Sequence, residues 1–250
     1  MRLVRAGRGH QSEPTFRVDW HLVALPIVQE LSHTDPLSIL KQWLARMLIL
    51  RPTPSLIGGD SDYEARVPLP SVKNFAAWFS GRLSDAPATY ARIDEYLKQV
   101  MPDLRNIKNP LIGTESRRLE VEFADAQGRL TIPFKDLADG EKCFMICALV
   151  HAARQAYGPT VCFWDEPENY LAPDEVGNVV LTLRKAFEAG GQFIATSHNP
   201  EAIRSFSNEN TLHLYRTSHL EPTIVRRLED LKVNGILCRR SFAAIWSHEW

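Results

Sequence analysis

Two short apolar runs, each leading into residues able to do chemistry, constrain this chain more than any other feature. Val161-Cys162-Phe163-Trp164 runs into Asp165-Glu166, and Phe193-Ile194-Ala195 runs through Thr196-Ser197 into His198. Short apolar runs bounded by turn residues read as buried strands. Between them Val176, Val179, Val180, Leu183 and Phe187 recur at helical spacing from about Asp174 to Ala189, until Gly190-Gly191 ends the pattern. Strand, helix, strand is a crossover unit, so the two strands are expected to be parallel. Ligands of parallel sheets sit beyond the carboxyl ends of the strands, which puts Asp165, Glu166 and His198 on one edge. Two adjacent carboxylates at a strand end suit a metal and a base.

The rest of the chain supplies layers around that unit. Asp35-Pro36 reads as a helix start, with Leu37, Leu40, Leu44, Met47 and Leu48 at helical spacing up to Arg51. Prolines and glycines from Arg51 to Pro70 predict a loop, and Asp60-Ser61-Asp62 within it reads as a solvated turn. Helical patterns follow over Ser71–Leu83 and Pro87–Val100. Leu119, Val121 and Phe123, then Leu130, Ile132 and Phe134, alternate with polar residues about a turn, which predicts a β-hairpin with one wet face. Phe144, Ala148, Ala152 and Ala156 give a helix that stops at Gly158-Pro159. Strands are expected over Thr15–Leu25, Thr211–Tyr215 and Pro222–Leu228, and a helical tail to Trp250.

Composition narrows the class. Hydrophobic content of 44% and charged content of 24% are those of a globular protein, and a net charge of -1 gives no global attraction to nucleic acid. Arg2, Arg5, Arg8 and Arg17 make only the amino end basic, which reads as a solvated terminus. No apolar run is long enough for a transmembrane helix and residues 1–10 lack a signal core, so a cytoplasmic location is expected. Cys143, Cys147 and Cys162 fall inside apolar patterns, as reduced buried thiols do. Cys143, Cys147 and His151 form a stripe on one helix, but its ends lie roughly 12 Å apart at helical rise, too far for one ion. The stripe reads as core packing.

Leu137-Ala138-Asp139-Gly140-Glu141-Lys142, then Asp165-Glu166-Pro167-Glu168-Asn169, then His198 occur in an order and spacing that resemble the signature, Walker B and switch-histidine motifs of ABC-type ATPases. The wording is that of the RecF-like, SMC-like and OLD-like branch. The resemblance implies an α/β P-loop NTPase fold with a parallel sheet, a helical subdomain and a β-hairpin, and Mg²⁺-dependent ATP binding and hydrolysis. By that resemblance Asp165 holds Mg²⁺ through water, Glu166 is the catalytic base, and His198 contacts the γ-phosphate. It also implies that the backbone of Ala138, Asp139, Gly140 and Glu141 meets a nucleotide bound to a second subunit. A homodimer or heterodimer follows, with nucleic acid as a partner by family likeness only. Ala138 stands where the family usually has serine, which removes one hydroxyl from that contact.

The family's phosphate loop, Gly-x-x-x-x-Gly-Lys-Ser/Thr, has no match in the sequence, and Gly7-Arg8-Gly9-His10-Gln11-Ser12 lacks its spacing and its lysine. The expected organisation is therefore a basic segment at 1–34, a helical insertion at 35–104 and the carboxyl-terminal ATPase lobe at 105–250. The chain is expected to begin after the phosphate loop. The alternative is a non-catalytic dimerisation or docking module derived from such an ATPase. A nuclease is disfavoured, because about fifty residues after His198 are too few for a metal domain of typical size.

Overall fold

Asp35 and Pro36 start the first helix as their chemistry dictates: the Asp35 carboxylate accepts from Leu37 N at 3.0 Å, and α1 spans Pro36–Ala45. The computed structural model describes residues 19, 21–29, 32–157, 160–188, 190–206, 208–233 and 242–247. Two compact units divide the chain, Met1–Ala45 and Arg46–Trp250. In the first, residues 21, 22, 24 and 25 lie in turns or bends and Asp19 and Val23 have no regular structure, where a strand is expected; residues 15–18 and 20 lie outside the described residues.

The second unit opens with β1 (Leu48–Leu50), then β2 (Asp60–Ser61), α2 (Phe75–Asp85) and α3 (Thr89–Val100). Next come β3 (Leu104–Lys108), β4 (Leu111–Ile112), β5 (Ser116–Arg118), β6 (Glu120–Ala124), β7 (Arg129–Pro133) and α4 (Asp139–Tyr157). The crossover unit is β8 (Val161–Asp165), α5 (Pro173–Glu188) and β9 (Gln192–Ser197). It is followed by α6 (Pro200–Arg204), β10 (Thr211–Tyr215), β11 (Ile224–Arg227), α7 (Leu228–Val233) and β12 (Phe242–Ser247).

The main sheet has the order β1-β8-β9-β12-β10-β11. The strands β1, β8 and β9 are parallel, with Leu50 opposite Trp164 and Asp165 opposite Thr196, while β12, β10 and β11 continue the sheet antiparallel. The parallel half is the one the crossover predicts.

Helix α4 explains its own position. Phe144 to Val150 are all buried, so it is apolar all round, and it lies between α3 and α5. The expected hairpin is β6 with β7, in which Val121 faces Ile132. Phe134 at its end stacks on Phe75 of α2 at 4.8 Å between ring centroids, tying the helical layer to the hairpin.

Three further expected elements differ. The helix over Asp35–Arg51 ends at Ala45, and Leu48–Leu50 is instead a strand whose Leu48 and Leu50 are buried against β8. The loop from Arg51 to Pro70 holds the short strand β2, and Asp60 pairs with Arg118 of β5. The tail beyond Leu228 is a short helix and then a strand, β12; residues 234–241 and 248–250 lie outside the described residues. Among the described residues no helix is long and apolar enough to cross a membrane.

Candidate functional site

Three parallel strands end on one edge, and their last residues meet. At the end of β8, Asp165 Oδ1 accepts from the Thr196 hydroxyl of β9, and Asp165 Oδ2 faces Arg51 Nε, just past β1, at 3.4 Å. Glu166 leaves the strand with φ +52, a conformation rare for a residue with a side chain. It is held there because its N–H donates to Thr196 O at 3.1 Å and to Thr196 Oγ1 at 3.2 Å. The turn in the backbone swings the carboxylate toward the next strand, where Oε1 accepts from His198 Nδ1 at 2.9 Å. Asn169 Nδ2 donates to Oε2 at 2.6 Å, so both oxygens are fixed. A carboxylate only accepts, so the His198 tautomer in this contact carries its proton on Nδ1.

The rest of the turn is locked from below. Asn169 N donates to Glu166 O at 3.1 Å and Leu171 N to Glu168 O at 3.2 Å, while Tyr170 takes φ +70. Glu168 turns inward, 4% exposed, and accepts from the hydroxyl of Ser197. Burial pushes its carboxyl above the ordinary value, and the Ser197 hydrogen bond opposes that rise.

The four signature-like residues start α4. Glu141 Oε2 accepts from Ala138 N at 2.7 Å and Ala138 O accepts from Lys142 N at 3.0 Å, which is half of a capping box. This helix start packs on the acid turn: a Cβ added to Gly140 would lie 2.9 Å from Tyr170 O, and Cys143 Sγ lies 3.8 Å from Asn169 O. Lys142 is buried and its Nζ donates to Pro54 O at 3.3 Å, holding the segment that follows Arg51. Burial pushes the Cys143 and Cys147 thiols up to about 12, so they remain protonated members of the core.

Sequence reasoning placed Asp165, Glu166 and His198 on one edge, and they lie there. It did not single out Arg51, Thr196, Ser197, Glu168 or Asn169 as parts of the site. The hydroxyls that close a parallel strand beside two acids were the available signal.

Among the described residues no group of three or more His, Cys, Asp or Glu side chains is arranged to hold an ion. Asp165, with one oxygen taken by Thr196, suits a Mg²⁺ that arrives with phosphate and keeps its waters, which is how that ion is commonly bound. It does not suit a cage made of protein ligands alone.

The chain belongs to the family described as "AAA domain, putative AbiEii toxin, Type IV TA system", whose model matches residues 32–204. The family is one of nucleotide-binding AAA ATPases. Solved structures it resembles include one from work on ATP-driven dimerization and DNA-stimulated activation of SMC ATPases, at 14% identity and TM-score 0.46, covering 61% of this chain and 92% of that one. Another is an Smc head bound to the C-winged helix domain of ScpA, at 16% identity and TM-score 0.47, covering 62% of this chain and 47% of that one. A third is the Smc head domain with an extended coiled coil bound to the C-terminal domain of ScpA from Pyrococcus furiosus, at 15% identity and TM-score 0.45, covering 66% and 42%. The chain thus spans less than half of the last two. No curated protein matches it.

Proposed function

We propose that this chain binds and hydrolyses ATP with Mg²⁺ as one subunit of a dimerising ATPase, and that the phosphate loop is supplied from outside residues 1–250. The observation that carries the reading is the Glu166–His198 hydrogen bond at the carboxyl ends of two parallel strands, beside Asp165, in a chain of the AAA domain family.

When bound, Mg²⁺ supplies charge for the β and γ phosphate oxygens, and Asp165 would hold it through water. Glu166 accepts one donor on each oxygen, and each keeps a lone pair, so the carboxylate can still accept from a water and take its proton. His198 already donates from Nδ1 to Glu166, so donating from Nε2 to a phosphate requires the doubly protonated ring. Arg51 adds a second cation at the same edge. The first-turn N–H groups of Asp139, Gly140 and Glu141 have no intrahelical partners and suit the γ-phosphate of a nucleotide on a second subunit. With Ala138 in the serine position, this contact rests on the backbone alone.

The absence of a Gly-x-x-x-x-Gly-Lys-Ser/Thr stretch favours a second reading, a dimerising or docking module that does not turn over ATP. Phosphate release from Mg²⁺–ATP, measured with the chain alone and mixed with a subunit bearing a phosphate loop, separates the two. Release that disappears on Glu166→Gln supports hydrolysis. Release undiminished by that substitution removes Glu166 from the chemistry, and no release in either mixture leaves the docking reading.

A further inference from the structure

Successive hydroxyls at the end of β9 serve two carboxyls of the acid turn. Thr196 Oγ1 accepts from Glu166 N at 3.2 Å and donates to Asp165. Ser197 Oγ accepts from Asn199 N at 3.0 Å and donates to Glu168 Oε1. Because side chains alternate along a strand, the two relays leave opposite faces of β9. The first serves an acid of the candidate site. The second lies in the interior, with Ser197 1% and Glu168 4% exposed, and touches neither Asp165 nor Glu166 in its hydrogen bonds.

The place of that second relay in the chain gives it a consequence. His198 sits between its two anchors: Ser197 precedes it, and Asn199, which follows, donates its N–H to Ser197 Oγ. Asn199 also caps α6, accepting from Glu201 N at 2.8 Å. The backbone on both sides of His198 is therefore tied to one buried carboxyl. Glu168 in turn is two residues from Glu166, in a turn closed by the Asn169 N to Glu166 O and Leu171 N to Glu168 O bonds. One side chain spans the two loops whose ends meet in the Glu166–His198 pair.

We propose that Glu168 is a positioning residue: its buried carboxyl fixes Ser197 and, through Ser197, the Asn199 turn, so that the His198 ring is held on Glu166. The role in turnover rests on the ATPase reading, but the geometric claim does not. Truncating Glu168 leaves the Ser197 hydroxyl without its acceptor and frees the loop, while glutamine retains a carbonyl oxygen at the same reach and keeps the relay.

The test is the ring-nitrogen NMR signal of His198 in the full chain labelled with ¹⁵N-histidine, assigned by its loss in His198→Gln. Glu166→Ala marks the position of the Nδ1 signal when the hydrogen bond is absent. Ser197→Ala and Glu168→Ala are expected to move the wild-type signal toward that position, and Glu168→Gln to leave it in place. Nδ1 signals in Ser197→Ala and Glu168→Ala that coincide with wild type overturn the proposal, as does an equal displacement in Glu168→Gln. Should Glu168→Ala not fold, the smaller change Ser197→Ala decides it alone. No step needs ATP turnover, so an absence of phosphate release even with a subunit bearing a phosphate loop refutes the ATPase reading and leaves this result standing.

Discussion

Replacing Gly140 by alanine sets helix propensity against packing, and the two disagree in sign. In a helix interior alanine is favoured over glycine by up to about 1 kcal/mol, and less in the first turn, where Gly140 lies. Against that, the new methyl would stand 2.9 Å from the carbonyl oxygen of Tyr170, which is backbone and has no rotamer to escape into. Ordinary contact needs a retreat of about half an ångström. The Tyr170 peptide cannot yield alone, since Tyr170 is held at φ +70 inside a turn closed by hydrogen bonds at 3.1 and 3.2 Å. Overpacking of this kind costs about 1–3 kcal/mol. The net expectation is a loss of about 1–2 kcal/mol, which lowers Tm by about 2–8 °C in a domain of this size. The retreat also moves Asn169, so phosphate release should fall with stability. Thermal unfolding followed by circular dichroism measures the first effect, and a Gly140→Ala variant as stable as wild type or more so refutes the packing argument.

Two further substitutions test the turn itself. Asn169→Ala removes the 2.6 Å hydrogen bond to Glu166 Oε2. Bonds to charged groups contribute about 1.5–3 kcal/mol, so kcat should fall about tenfold or more with KM for ATP little changed, and an unaltered kcat would show that Asn169 does not fix the base. Glu168→Gln tests the buried carboxyl through pH. The native carboxyl titrates above its ordinary value because it is buried, so the stability it contributes is complete below the unfolded value of about 4.5 and declines as pH rises through the folded one. Glutamine copies the neutral form, so the variant should match wild-type Tm near about pH 4 and exceed it near about pH 8. A Tm difference that does not change with pH contradicts this.

The crossover unit was legible because its signals are local. Six-residue β9 alternates fully buried and partly exposed positions, and α5 carries its apolar stripe within one helix. Strand β1 was not legible: Met47 and Leu48 continue the helical spacing of α1, and three residues are too few to show alternation. What makes Leu48–Leu50 a strand is pairing with Cys162–Trp164, more than a hundred residues later. The first strand of the expected hairpin, with Leu119, Val121 and Phe123 in alternation, begins only after Leu119, whose N–H donates to Gly59 O at 2.8 Å and whose carbonyl accepts from Phe134 N at 2.9 Å. Such tertiary bonds leave no periodic trace.

The site divides the same way. Asp165, Glu166 and His198 sit in contiguous motifs and could be named in advance. Their supports, Arg51, Thr196, Ser197 and Glu168, act across strands, and a serine or threonine at a strand end looks like any other until its partner is known. The inward turn of Glu168 was equally hidden, since it follows from the backbone conformation at Glu166 and not from any pattern of polarity.

A chemical-shift map of the full ¹⁵N-labelled chain mixed with an unlabelled subunit bearing a phosphate loop, with and without Mg²⁺–ATP, tests the central claim most directly. The account predicts that the backbone amides of Asp165–Asn169 and Thr196–Asn199 move most, with Arg51 beside them. Perturbations confined to other surfaces, such as the β2-β5-β4 sheet, or none at millimolar nucleotide, would contradict it.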